Sequence, residues 1–439
     1  MRRTVADHQQ AVENLLGQCW ANTPGGRVAG AALASEQLPL NQSVGRVLAV
    51  DLMAPIDLPP FANSQMDGYA IWSDPNQPHG VDLPKSTAYR VVGTIPAGSV
   101  PEALLEGMAA PIMTGAMVPS GANAVIAIED AVPDHFGAPG DTVALPPTAA
   151  GSFVREQGSD VRRGEMILTA GTLLNAAHLG LAAGLGFTQL PVKAKPRVLL
   201  LTTGDEVLSP GDPQTACGLP VGMIFDANET LLRTSLEAAG MNVVRSLIVK
   251  DDPGALLDLL DQFVGVSARG DTAEPRCELI ISVGGISAGA FEVVKQALTQ
   301  AKDHAQVDFG HVAMQPGGPQ AAGTYRGIPF LGFPGNPVSA FVSFEVFLRP
   351  ALSTLIGAPA KRQRVVATLE HAMSSPAGKL QIRRGIYSGP EYESAASVRE
   401  IGGPQSHLLG ALAQANALIT IPAGVTELQA GAKVEVLLL

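Results

Sequence analysis

Residues Pro316–Ser339 read PGGPQAAGTYRGIPFLGFPGNPVS. The apolar run Ile328–Phe333 has the length and composition of a buried strand. Before it, the glycines are expected to bring bare backbone close to a ligand. After it, Pro334–Gly335–Asn336–Pro337 forms a stiff turn, with Asn336 placed to cap a helix that starts at Pro337. The stretch therefore reads as a strand, a phosphate-style cradle and a helix.

The same arrangement occurs twice upstream. Arg197–Leu201 runs into Thr202–Thr203–Gly204–Asp205–Glu206, and Leu279–Val283 runs into Gly284–Gly285–Ile286–Ser287–Ala288–Gly289. Each places small residues at the carboxyl end of a buried strand, where open parallel sheets bind ligands. Helical patterns at Asn228–Ala239, Pro253–Phe263, Phe291–Ala301 and Pro337–Leu355 alternate with these strands and with Asn242–Val249. That alternation predicts a doubly wound α/β domain over 196–358, with a parallel sheet and right-handed crossovers.

A chain of 439 residues exceeds one ordinary core, and typical domain sizes suggest about three units. Gly 48 and Pro 34 against 16% charged residues describe an apolar chain with many turns, which fits compact β-rich modules rather than disorder. A net charge of −11 argues against a nucleic-acid surface. Cys19, Cys217 and Cys277 show no CxxC spacing and cannot all pair, so neither a disulfide framework nor a zinc site is expected, and a reducing cytoplasm fits. The amino-terminal residues lack the apolar core of a signal peptide, and no unbroken apolar run of membrane-spanning length appears, so no direct membrane insertion is expected.

Val5, Val12, Leu15, Leu16 and Trp20 recur at helical spacing and predict an amphipathic helix over Thr4–Trp20 that packs on another domain or a second subunit. Residues 57–70 read as a long irregular connection, with Trp72 packing beneath it. Tyr89–Val92, Ala110–Met113, Ala124–Ile128 and Thr142–Leu145 predict an inserted small barrel or sandwich over 55–147, with Thr114 at a strand end. Residues 1–54 and 148–195 form a discontinuous elongated domain that contains a charge-dense patch around Arg155, Asp160, Arg162 and Arg163 and a helix at Asn175–Leu185. Gln363–Glu370, Leu380–Tyr387, Ala417–Ile421 and Ala432–Leu438 predict a barrel-like C-terminal β domain over 359–439. The fold class is α/β plus β.

Six acidic residues stand at loop ends near glycine-rich turns: Asp67, Asp160, Asp205, Glu206, Asp226 and Asp251. Carboxylates there are hard ligands suited to Mg²⁺ beside a bound phosphate. They equally suit helix and turn caps, above all Asp226 before Asn228 and Asp251–Asp252 before Pro253.

Six segments taken together resemble MoeA, the molybdopterin molybdenumtransferase family that includes the gephyrin E domain. They are Asn63–Ala70 (NSQMDGYA), Ile112–Ala116 (IMTGA), Thr202–Glu206 (TTGDE), Asp251–Pro253 (DDP), Gly284–Ser287 (GGIS) and Gly335–Ser339 (GNPVS). The resemblance implies a four-domain homodimer in the cytoplasm that inserts molybdate into adenylylated molybdopterin with Mg²⁺-dependent release of AMP. The molybdopterin-adenylating protein and molybdoenzymes would be its partners. By position it implies catalytic roles for Asp67, Thr114, Asp160, Glu206 and Asp251, and metal contacts from Asp205, Glu206 and Asp251. Substrate contacts would come from Arg155, Gly284, Gly285, Ser287, Pro334, Gly335, Asn336, Pro337 and Ser339.

The chain departs from the family pattern at its anion grip. Where the family has lysines in a K…KPGKP stretch, this chain has His311, Gln315 and Gly318, and an expected Asp is at best Glu292. Each charge-assisted contact to an anion contributes about 1.5–3 kcal/mol. Their loss implies weakened anion binding unless Arg155, Arg162 or Arg326 compensates. The alternative reading is a gephyrin-like dimeric scaffold that docks a short peptide tail of a cytoskeletal, tubulin-like protein or a membrane receptor in a groove near the C-terminal domain.

Overall fold

The structure, a computed structural model, describes residues 3–22, 28–29, 32–75, 86–265, 276–286, 292–390 and 395–439. It divides into two compact units, one of residues 1–50, 171–175 and 189–439, the other of residues 51–170 and 176–188.

The first unit is built on a six-stranded sheet in the order Asn242–Val249, Arg197–Thr203, Leu279–Val283, Ile328–Phe333, Pro319–Tyr325, Ala305–His311. The first four strands run parallel, and every residue of Leu279–Val283 and Ile328–Phe333 is buried. Successive side chains on Arg197–Thr203 feed different cores: Val198 and Leu200 enter one, Leu199 and Leu201 the other. Alternate residues of a strand point to opposite faces, so a strand covered on both sides must be apolar throughout.

The last two strands correct the expectation of an all-parallel sheet. Pro319–Tyr325 and Ile328–Phe333 form an antiparallel hairpin, and Ala305–His311 extends it. The hairpin turns on Arg326 and Gly327, both at positive φ (47° and 81°), as a two-residue turn of matching twist requires. The glycine-rich stretch before Ile328 is therefore largely strand. Gly323 is needed there for strand packing, because a Cβ would lie 1.9 Å from the Gln306 carbonyl oxygen.

The amino-terminal helix spans Val5–Asn22 and packs on this same unit. Val12, Leu16 and Trp20 are buried in the core that also holds Val198, Leu279 and Phe347, and the Trp20 indole N–H donates to the Glu278 carbonyl (2.9 Å). The helical stretch Pro337–Ile356 is long and apolar enough to cross a membrane by length and composition, yet two-thirds of its most apolar window is buried inside the protein. A π-helical turn, Phe344–Leu348, interrupts it.

The C-terminal strands Leu380–Ser388, Ser397–Glu400, Arg364–Leu369, Lys433–Leu438 and Ala417–Ile421 pair in that order, and the last pairs back to the first. This closes a five-stranded barrel. Its residues Ile382 and Leu418 share the core of the central sheet.

The second unit carries a five-stranded sheet in the order Thr142–Leu145, Thr87–Val91, Met108–Ile112, Gly68–Ile71, Ala124–Ala127, packed around Tyr69, Ile71, Val91, Ile126 and Val143. The connection over 57–70 is more regular than its composition suggests, since Asn63–Ser64 pairs with Val154–Arg155 and Gly68 opens a sheet strand. Trp72 is exposed rather than packed beneath it. Among the described residues the three cysteines form no disulfide.

Gly323→Ala is expected to lower unfolding stability by at least about 3 kcal/mol, because backbone rather than a side-chain tip meets the new methyl group. Denaturant titration checks this.

Candidate functional site

Three parallel strands end side by side, and the turn after the middle one leaves no room for side chains. A Cβ on Gly284 (φ +89°) would lie 2.8 Å from Thr203 Oγ1, and one on Gly285 (φ +67°) would lie 2.9 Å from Val294 Cγ2. A Cβ on Gly335 would meet Gly284 Cα at 3.5 Å. Glycine is required at 284 and 285 by conformation as well as by space.

Above these ends opens a cavity of about 1010 Å³. Of the residues singled out from sequence, Glu206, Asp251, Gly284, Gly285, Pro334, Gly335, Asn336, Pro337 and Ser339 line it. Asp205 does not, but its Oδ1 accepts the Asp251 backbone N–H (3.2 Å). Ser287 lies outside the described residues. Asp226 lines the cavity as a structural cap: it is buried, accepts from Thr202 Oγ1 (2.6 Å) and caps its helix through the Glu229 N–H (2.9 Å). Asp252, likewise, caps through Gly254 and Ala255. Asn336 occupies the cap position before Pro337, but its side chain makes no capping hydrogen bond, contrary to the expectation from sequence.

The remaining candidates belong to the second unit. There Asp67 and Thr114 meet: Oδ1 of Asp67 accepts both the Thr114 backbone N–H (2.7 Å) and its hydroxyl (2.8 Å). These two bonds hold the Asp67 carboxyl below the usual aspartate range. Arg155 donates to Asn63 Oδ1 (3.3 Å), and the Asp160 backbone N–H donates to the Leu58 carbonyl (3.0 Å).

The charges lining the cavity share one sign. Glu206, Asp226, Asp251 and Glu292 line it, and among the described residues no lysine or arginine does. Desolvation, then the proximity of Asp205, Glu206 and Glu292, pushes the Asp251 carboxyl above its ordinary value. Among the described residues, no three His, Cys, Asp or Glu side chains are already gathered as a metal cage. Arg326 does not compensate for the missing lysines, because it is tied to Asp261 (2.7 Å) away from the cavity. His311 packs against the space a side chain at 318 would need: a Cβ on Gly318 would lie 2.6 Å from its Nε2.

Neutral groups occupy the rest of the wall. Gln315 lines the cavity, and its Oε1 accepts from Nε2 of the buried Gln381 (2.9 Å). Gln320, also buried, donates to the Gly317 carbonyl (2.8 Å) and to Ser343 Oγ (2.7 Å), holding the preceding turn from beneath. Asn228 donates to the Gly335 carbonyl (2.7 Å).

Residues of the C-terminal barrel missed from sequence also contribute. Pro404, Gln405, Ser406 and His407 line the cavity, and the Ser406 carbonyl accepts from the Val338 N–H (3.2 Å). Behind this loop the guanidinium of Arg384 is 2% exposed, donates to the Gly403 carbonyl and leaves its Nε–H without a partner. Burial lowers the pKa of Arg384, partly opposed by Glu400. The signal available in sequence was the pair Arg383–Arg384 in an otherwise apolar strand, followed by the Gly402–Gly403–Pro404 turn.

A ligand cavity at the carboxyl ends of parallel strands, glycine-lined and walled by a β-barrel loop, defines a multidomain α/β protein with a small-molecule site. Family profiles agree along the chain. "MoeA N-terminal region (domain I and II)" matches residues 3–186, "Probable molybdopterin binding domain" residues 199–354, and "MoeA C-terminal region (domain IV)" residues 366–439. The chain is 39% identical over 441 residues to molybdopterin molybdenumtransferase 2 of Mycobacterium tuberculosis, covering 99% of each. It is 32% identical to the molybdopterin molybdenumtransferase of Synechococcus elongatus, covering 98% of this chain and 99% of that one. The solved structure of the molybdopterin biosynthesis MoeA protein of Pyrococcus horikoshii superposes with a TM-score of 0.74 at 25% identity, covering 100% of both. The chain belongs to the molybdopterin molybdenumtransferase (MoeA) family. The peptide-scaffold alternative gains no support from these relatives.

Gly284→Ala is expected to abolish small-anion binding in the cavity while Gly424→Ala, whose Cβ would meet nothing and whose φ lies outside the left-handed region, leaves it intact. Titration calorimetry with inorganic pyrophosphate and Mg²⁺ reads the difference.

Proposed function

We propose that this protein inserts molybdate into adenylylated molybdopterin and releases AMP in a Mg²⁺-dependent reaction, acting as a cytoplasmic homodimer. The observation that carries the reading is the cavity at the three strand ends, in a chain related to named transferases over almost its full length. Its volume suits a nucleotide-bearing pterin.

The donor set fits magnesium. Mg²⁺ is typically held by one or two carboxylates, waters and substrate phosphates rather than by a full protein cage. Glu206 and Asp251 offer hard oxygens in a crowded acidic wall, with Asp205 holding the Asp251 backbone. When bound, the ion would neutralise phosphate charge and polarise the phosphoanhydride. Gly284, Gly285 and Gly335 let backbone approach the substrate, Ser339 offers a hydroxyl, and Pro334 and Pro337 fix the turn that carries them. Ser287 is assigned to the substrate site by its place in the family motif alone. Asp67, Thr114, Arg155 and Asp160 are assigned to the reaction by their place in the family motifs. The molybdopterin-adenylating protein would supply the substrate and molybdoenzymes would receive the product.

With no lysine or arginine on the described wall, anion binding here depends on the divalent ion more than on protein cations. Mixing the protein with adenylylated molybdopterin and Mg²⁺ is expected to give binding, and adding molybdate to give stoichiometric AMP. AMP release that is absent, or independent of molybdate, would refute the assignment.

Asp251→Asn is expected to lower the rate of AMP release roughly 10–100-fold by removing a hard metal ligand. The pH dependence has a defined sign. A carboxyl raised above 3.8 keeps its proton to higher pH in the folded protein, so folded-state stability falls as pH rises through that raised value. The metal-free Asp251→Asn protein should accordingly melt higher than the parent at neutral pH. Half-saturation of the parent should require more Mg²⁺ as pH falls toward the raised value, because the ion must displace a proton.

A further inference from the structure

A second cavity, of about 310 Å³, lies beside the π-helical turn and the segment that leads into the C-terminal barrel. Its charge is opposite to that of the first. Arg349, Lys361, Arg362 and Arg364 line it, against a single lining carboxylate, Glu345. Four cations in one small cavity are a marked concentration in a chain of net charge −11.

Two of the four are already neutralised. Glu345, 2% exposed, takes a bidentate contact from Arg362 (Nε to Oε2 3.1 Å, Nη2 to Oε1 2.8 Å). Arg364 pairs with Glu435 (2.6 Å). The other two are less well matched: Arg349 shares Glu345 with Arg362, and Lys361 has, among the described residues, no carboxylate of its own. Arg349 stands 3.7 Å from the same Glu345 oxygen that Arg362 bonds, and its buried Nε–H has no hydrogen-bond partner. Its Nη2 reaches the Ala360 carbonyl (3.3 Å). Among the described residues, no carboxylate lies within ion-pair distance of the exposed Lys361. Burial, then the neighbouring Arg362, disfavours the charged form of Arg349, with Glu345 opposing. A bound anion would relieve that cost. The remaining walls, Val346, Pro350 and Leu437, are apolar.

The geometry points to a binding site, separate from the molybdopterin cavity, for a small phosphate or carboxylate anion carried on a short apolar body. Arg349 and Lys361 supply its counter-charge, and Val346, Pro350 and Leu437 its apolar contact. A guanidinium with a free N–H beside a mobile ammonium suits an oxyanion, one as a directed donor and the other as a point charge. One carboxylate, Glu345, is shared between Arg362 and Arg349, so the cavity keeps an excess of positive charge.

Titrating the full-length protein with n-butyl phosphate at low ionic strength should show saturable binding. Lys361→Glu and Arg349→Gln should each raise Kd at least about tenfold, while Lys302→Glu, an exposed reversal outside the cavity, leaves Kd unchanged. Inorganic phosphate should bind more weakly than butyl phosphate, since it leaves the apolar wall uncovered. Melting temperatures identify any variant that fails to fold, and Lys361, on the surface, provides the decisive one. Absence of binding to the parent protein, binding that survives Lys361→Glu, or equal affinity for the two probes would each overturn the proposal.

Discussion

The closeness with which Gly284 approaches Gly335 and Thr203 is the constraint on which the rest of the molecule depends. Three strand ends can converge on one ligand if backbone, not side chain, fills the space between them. That demands a sheet held in accurate register, and the register comes from burial on both faces. Leu199 and Leu201 look into one core while Val198 and Leu200 look into the other, so a shift by one residue would exchange two differently packed layers. The amino-terminal helix adds Leu16 and Trp20 to the first of those layers, far in sequence from the strands it covers.

Shape and charge are handled by different parts of the site. The glycines create room and polar backbone, but the described wall carries carboxylates and no lysine or arginine. In a partly desolvated cavity like charges raise one another's proton affinity, as Asp205, Glu206 and Glu292 do for Asp251. Under the proposed function, a divalent cation would remove that repulsion and the repulsion between wall and anion together, making the acidic wall compatible with an anionic substrate.

Much of this was legible in the sequence because it depends on local chemistry. Leu279–Val283 and Ile328–Phe333 announced themselves as doubly buried strands, and Gly284–Gly285 marked the turn where a side chain would collide. The hairpin Pro319–Tyr325 escaped notice because a glycine needed for strand-to-strand contact at Gly323 looks, in sequence, like one that serves a ligand. Asn336 sits at the expected cap position, yet the hydrogen bond did not follow from residue type. Gln405, Ser406 and His407 were beyond reach for a different reason: barrel closure brings them to the cavity, and no periodicity near residue 400 encodes a partner near residue 338.

At 315 and 318, where the family resemblance implies lysines, the residues present are held in fixed surroundings. At 315 an amide stands in, fixed from behind by Gln381, so its position is determined although its charge is gone. At 318 the His311 ring fills the space a side chain would take, and restoring a lysine there would first require that ring to move. The turn between them remains anchored through Gln320 to Gly317 and Ser343. A neutral, hydrogen-bonding wall gives up long-range attraction but keeps directionality, and it is less sensitive to salt than a cluster of ammonium groups. Arg384, buried behind the Gly403 turn with an unused N–H, carries its charge outside the cavity lining. The described wall near these positions thus consists of fixed amides and backbone rather than exposed point charges, and under the proposed function a divalent ion would be the main electrostatic attraction for substrate.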